Sequence, residues 1–86
     1  MLSSRSYGPQ VSPTDDLREQ RRVVFGQRLR ALRLSAGLTQ EQVALVAGLD
    51  RAFYVDLENA RHGVQVDRLY DIADALGVTC SDLFTE

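Results

Sequence analysis

The chain has a single cysteine, Cys80, so no disulfide forms within it and a disulfide-stapled secreted module is excluded. It has a single histidine, His62, and no second ligand sits at metal spacing from it, so His62 is read as a solvated loop residue and no metal is expected. Lysine is absent; all ten cations are arginine. No apolar run approaches a membrane span, and the opening stretch MLSSRSYGPQVSPTDD lacks the apolar core of a signal peptide. A soluble, cytoplasmic chain with no membrane partner is expected. No Ser/His/Asp arrangement, phosphate loop or metal cluster is visible, and 86 residues leave little room for a cleft with a full catalytic shell. The chain is read as not an enzyme and as needing no cofactor.

What is present is ordinary for one small folded domain: 44% of residues are apolar. The charge is unevenly placed. Residues 17 to 36 hold six arginines and one glutamate, whereas residues 64 to 86 carry a net charge of −4. The whole chain is −2, so a basic face can coexist with an acidic total.

Residues 1 to 12 mix Ser, Gly, Pro and Gln with no apolar period and read as a flexible tail. Residues 13 to 86 read as one all-α domain of five short helices, with no strand and no internal repeat. The first helix starts at SPTD, with Ser12 as cap and Pro13 at the first helical position, and runs to about Ala36. Phe25, Leu29, Leu32 and Ala36 form its apolar stripe, Arg33 lies on the rim, and Gly37 closes it with a left-handed cap. Thr39 and Gln42 make a capping box for the second helix, whose Val43, Val46 and Ala47 are expected inside. Gly48 ends that helix and Asp50 caps the third, over residues 51 to 59. The fourth covers about 66 to 76, with Val66, Leu69, Tyr70, Ala73 and Leu76 inward and Asp67, Asp71 and Asp74 outward. Thr79 caps a last short helix, CSDLF, with Leu83 and Phe84 as its apolar pair.

At 100° per residue the third helix divides into two sides. Tyr54, Leu57 and Glu58 share one, which a small core needs. Arg51, Ala52, Val55, Asp56 and Asn59 share the other, with Phe53 at its edge, and that side is free to read something. The run from Leu38 to Val78, LTQEQVALVAGLDRAFYVDLENARHGVQVDRLYDIADALGV, resembles the phage-repressor-like (Xre or Cro/C1 type) helix-turn-helix regulators, and within them the restriction–modification controllers. The resemblance spans residues 23 to 85 and implies a compact lambda-repressor-like domain. The third helix would enter the major groove of double-stranded DNA and the second would lie across the backbone. Arg51, Ala52, Val55 and Asp56 match base-facing positions: Arg51 suits guanine, Ala52 and Val55 suit thymine methyls, and Asp56 suits cytosine N4. Gln40, Phe53, Asn59 and Arg61 match positions near the phosphates. Glu58 would pair with Arg33. The family also implies a homodimer through the C-terminal helices.

Three positions depart from that pattern. Ala60 stands where a glycine usually ends the third helix, so either Asn59 or Ala60 takes the left-handed cap or the turn differs. Val64 replaces a usual proline and Gln65 a usual Ser or Thr cap. The alternative function is a protein-interaction module, antitoxin-like, on the same fold with weak or no DNA binding. The acidic fourth helix would then be its partner surface.

Overall fold

A computed structural model describes residues 15 to 85. The expected tail, the Ser12 cap and Pro13 lie outside the described residues. Four α-helices follow one another: α1 (Asp15–Ser35), α2 (Gln40–Ala47), α3 (Arg51–Glu58) and α4 (Val66–Leu76). The expected fifth helix is instead a single 3₁₀ turn, Ser81–Phe84. Four residues are too few for a turn of α-helix to propagate, so the tighter i+3 bonding closes the chain. Thr79 still caps this turn: its Oγ1 accepts the Asp82 N–H at 3.2 Å, and the Asp82 carboxylate accepts the Thr79 N–H at 3.0 Å.

The core is built from every element. Leu29 of α1, Val43 of α2, Tyr54 and Leu57 of α3, Ile72 of α4 and Leu83 of the closing turn are all fully buried. Three inward faces differ from expectation: on α1, Ala36 falls past the end of the helix and is exposed, while Arg33, expected on the rim, is buried. Val46 is 71% exposed and Ala44 is buried in its place. Both α3 and α4 pack on α2, and its buried arc runs through Val43, Ala44 and Ala47; Val46 lies about 110° from the centre of that arc. On α4 the buried positions are Ile72, Ala73 and Leu76, with Leu69 partly covered, while Val66 and Tyr70 face outward. A stripe stepping 69, 72, 73, 76 satisfies helical spacing as well as one through 66 and 70, and only the packing partner distinguishes them. Phe84 is likewise outside the core, stacked on Phe25 with ring centroids 5.3 Å apart. Arg28 ties the same two elements together, donating from Nε to the Asp82 carbonyl at 2.9 Å.

Gly26, in mid-helix, is where α1 meets α3. A Cβ there would lie 2.5 Å from the Glu58 carbonyl oxygen and 2.8 Å from that of Leu57. A helix-interior glycine weakens the helix on its own, so its use here reflects the close backbone approach. Among the described residues no helix is long and apolar enough to cross a membrane.

Candidate nucleic-acid interface

The turn between α2 and α3 fixes the site. Thr39 Oγ1 accepts the Gln42 N–H at 3.0 Å and the Gln42 side chain accepts the Thr39 N–H at 2.8 Å, so α2 begins on a reciprocal cap. Gly48 ends it with φ 71°, a left-handed conformation that a side chain disfavours, and α3 begins three residues later, at Arg51. Asp50 sits at the cap position of α3 with extended backbone, but its side chain makes no capping bond.

A buried ion pair anchors the inner side of α3. The Arg33 guanidinium grips the Glu58 carboxylate with two bonds, Nε to Oε2 at 2.6 Å and Nη2 to Oε1 at 3.0 Å. Arg33 also donates from Nη1 to the Leu38 carbonyl at 3.0 Å, and Gln40 donates from Nε2 to Glu58 Oε1 at 3.1 Å. One carboxylate thus joins α1, the start of α2 and the end of α3. Burial pushes the Glu58 carboxyl up, but the donors around it, Arg33 foremost, outweigh this and hold it below its ordinary value. The same bond raises Arg33 against its own desolvation. The Tyr54 hydroxyl lies buried beside this pair with no partner at hydrogen-bonding geometry. Burial first, then the adjacent Glu58 carboxylate, keep it neutral well above the usual tyrosine range.

The outer side of α3 is open. Arg51, Ala52 and Asn59 are exposed, and Val55 and Asp56 are half-buried along the same face. These are four base-facing candidates, Arg51, Ala52, Val55 and Asp56, together with Asn59 at the end of the helix. Phe53 lies at the edge, its ring 4.5 Å from that of His62. Gln40 is placed differently from the rest: its amide turns inward to Glu58, and only its backbone remains at the open start of α2. Ala60 takes the left-handed conformation after α3, with φ 63°, and Asn59 does not. That turn brings Arg61 back over the helix end. Its N–H donates to the Asp56 carbonyl at 2.9 Å, and its Nε lies 3.7 Å from the Asp56 carboxylate. Two features carried no signal readable in the sequence: the Gln40 bond to Glu58 and the Arg61 approach to Asp56. The first depends on how α2 and α3 meet, the second on which residue takes the left-handed turn after α3.

A turn of this kind presenting an open helix defines a helix-turn-helix. The chain belongs to that family: the model of the helix-turn-helix domain matches residues 24–83. It is a DNA-binding transcriptional regulator of the Xre or Cro/C1 type. It is 38% identical over 63 residues to the control protein C.BamHI of Bacillus amyloliquefaciens, covering 72% of this chain and 78% of that one. It is 36% identical over 66 residues to the control protein C.MunI of a Mycoplasma species, covering 76% and 89%. Among solved structures it is similar to the restriction–modification controller protein C.AhdI of Aeromonas hydrophila. That match has a TM-score of 0.74 and 38% identity, covering 76% of this chain and 98% of the other.

Proposed function

We propose that the chain is a sequence-specific regulator of the restriction–modification controller kind. It binds double-stranded DNA as a homodimer on a two-fold site. The observation that carries this is the open face of α3, held outward by the buried Arg33–Glu58 pair on its inner side. In this reading α3 lies in the major groove and α2 runs across the backbone. Arg51 presents a planar fork of donors suited to guanine O6 and N7. Ala52 and Val55 supply apolar contact to thymine methyls. Gln40, Phe53 and Asn59 lie toward the flanking phosphates, Gln40 through its backbone at the positive end of α2.

The homodimer reading places the contact at the C-terminal end, where Phe84 is 61% and Val24 49% exposed along one apolar groove with Phe25 and Leu83. Each subunit then addresses one half-site, the two separated by about 34 Å. Sedimentation of Phe84→Glu, expected to be monomeric where the parent is dimeric, tests that part. A basic protein partner at α4 has its support in the exposed carboxylates Asp67 and Asp74, since Asp71 is already paired with Arg68 at 2.9 Å. The similarity to control proteins favours DNA over that alternative.

Arg51→Ala is the discriminating experiment for base reading. A bidentate arginine–guanine contact is worth about 1–3 kcal/mol of discrimination. The variant is expected to lose preference at one base-pair position while keeping its affinity for unrelated duplex. Equal losses on preferred and scrambled DNA would remove Arg51 from the reading surface.

A further inference from the structure

We infer that Arg61 reads a base at the end of α3 and that Asp56 acts as its positioning residue. This rests on the DNA-binding reading above and assigns both residues differently from their simplest roles. Taken alone, Asp56 is a carboxylate accepting from cytosine, and Arg61 is a loop cation that moves to the nearest phosphate.

The geometry joins them. Ala60, at φ 63°, folds the chain so that the Arg61 N–H closes on the Asp56 carbonyl at 2.9 Å. The backbone of Arg61 is therefore fixed to the last turn of α3 and does not swing with the loop. From that anchor its Nε comes within 3.7 Å of Asp56 Oδ1. The side chains are 68% exposed for Arg61 and 42% for Asp56, so the pair is open on the DNA side. Asp56 belongs to the outward arc of α3, with Ala52, Val55 and Asn59, and no other ion pair among the described residues lies on that arc.

Two physical consequences follow. A carboxylate facing DNA is repelled by phosphate, and a guanidinium beside it offsets that charge where it matters. A guanidinium also has two usable edges. When the Nε edge faces a carboxylate, the two Nη groups remain free to donate together in the planar arrangement that fits guanine O6 and N7. Without Asp56 the side chain is a flexible cation and contributes sequence-independent affinity. With it, the cation has a direction.

The test uses the full chain and its Asp56→Asn, Arg61→Gln and double variants. The probe is a duplex selected by the parent protein from a random-sequence pool, together with its single base-pair replacements and a scrambled control. Arg61→Gln is expected to lose about fivefold or more in discrimination at one base-pair position, the low end for a bidentate contact. Asp56→Asn is expected to lose part of that discrimination at the same position, and to lose none in the Arg61→Gln background. In the complex, the Arg61 Nε–Hε NMR signal is expected to be ordered in the parent and averaged in Asp56→Asn, while helix content and melting stay the same. An equal loss for Asp56→Asn with and without Arg61 would overturn the inference, as would a uniform rise in affinity for every duplex. A parent protein that selects no sequence at all sinks the DNA-reading function itself, which is a different result.

Discussion

Ala60→Gly should make the protein more stable. Ala60 is the non-glycine residue with positive φ among those described, at 63°. A left-handed conformation costs an L-residue about 1–2 kcal/mol, because Cβ crowds the following carbonyl. Glycine removes that cost but adds about 0.5–1 kcal/mol through the larger entropy of its unfolded chain. The Ala60 N–H bonds to the Leu57 carbonyl at 3.1 Å, and glycine keeps that bond. The balance is a gain of about 0.5–1 kcal/mol. For a domain of this size the melting temperature rises about 2–6 °C. Urea unfolding should show a higher midpoint with the same slope, since no surface changes. DNA affinity should stay within about twofold, as the turn keeps its path. An unchanged or lower midpoint would mean that Ala60 is unstrained or that its methyl contributes packing that outweighs the strain.

The inner side of α3 can be perturbed in the same way. Gly26→Ala should destabilise by about 1–3 kcal/mol in urea unfolding, because its Cβ would sit 2.5 Å from the Glu58 carbonyl oxygen, a backbone atom that cannot rotate away. A result near the parent value would mean that α1 and α3 shift apart freely. Glu58→Ala leaves Arg33 buried without its partner and should cost about 3–5 kcal/mol, a large part of the stability of a small domain. Differential scanning calorimetry would show it, and a change below 1 kcal/mol would say that water reaches Arg33. The folded-state Glu58 carboxyl lies below its ordinary value of 4.5, so its contribution is complete above that pH and is lost as pH falls beneath it. Glu58→Gln should flatten this acid limb in a pH series of unfolding free energies. Tyr54 is shifted the other way, so its contribution is complete below its ordinary value of 10.0 and is lost as pH rises above that. Tyr54→Phe should remove that alkaline loss, and an alkaline limb identical to the parent's would assign it to another group.

Local signals in the sequence were the legible ones. Thr39 with Gln42, and the glycines at 37, 48 and 77, act within one turn of chain, so the helix ends can be read from neighbours alone. The division of α3 into an inner side of Tyr54, Leu57 and Glu58 and an outer side is also visible, because eight residues are enough to define two faces. The Arg33–Glu58 contact was an expectation drawn from family resemblance; spacing alone would not join residues 25 apart. What could not be read depends on the packing partner. Val46 and Tyr70 are apolar at plausible inward positions, yet α2 and α4 present other arcs to each other. Nothing in the neighbouring sequence marks Gly26, because its role is set by the backbone of α3 packed against it. The orientation of Gln40 toward Glu58 needs the start of α2 and the end of α3 to be in contact, which no local pattern encodes.

In the function proposed above, an acidic chain binds DNA through a small, directed face. The most direct measurement is equilibrium binding of the purified chain to duplex from immediately upstream of its own gene, beside a scrambled duplex of the same composition, at several salt concentrations. Tighter binding to the upstream duplex is expected, with affinity on both falling steeply as salt rises because phosphate contacts release counterions. Binding to neither duplex even at low salt would contradict that function.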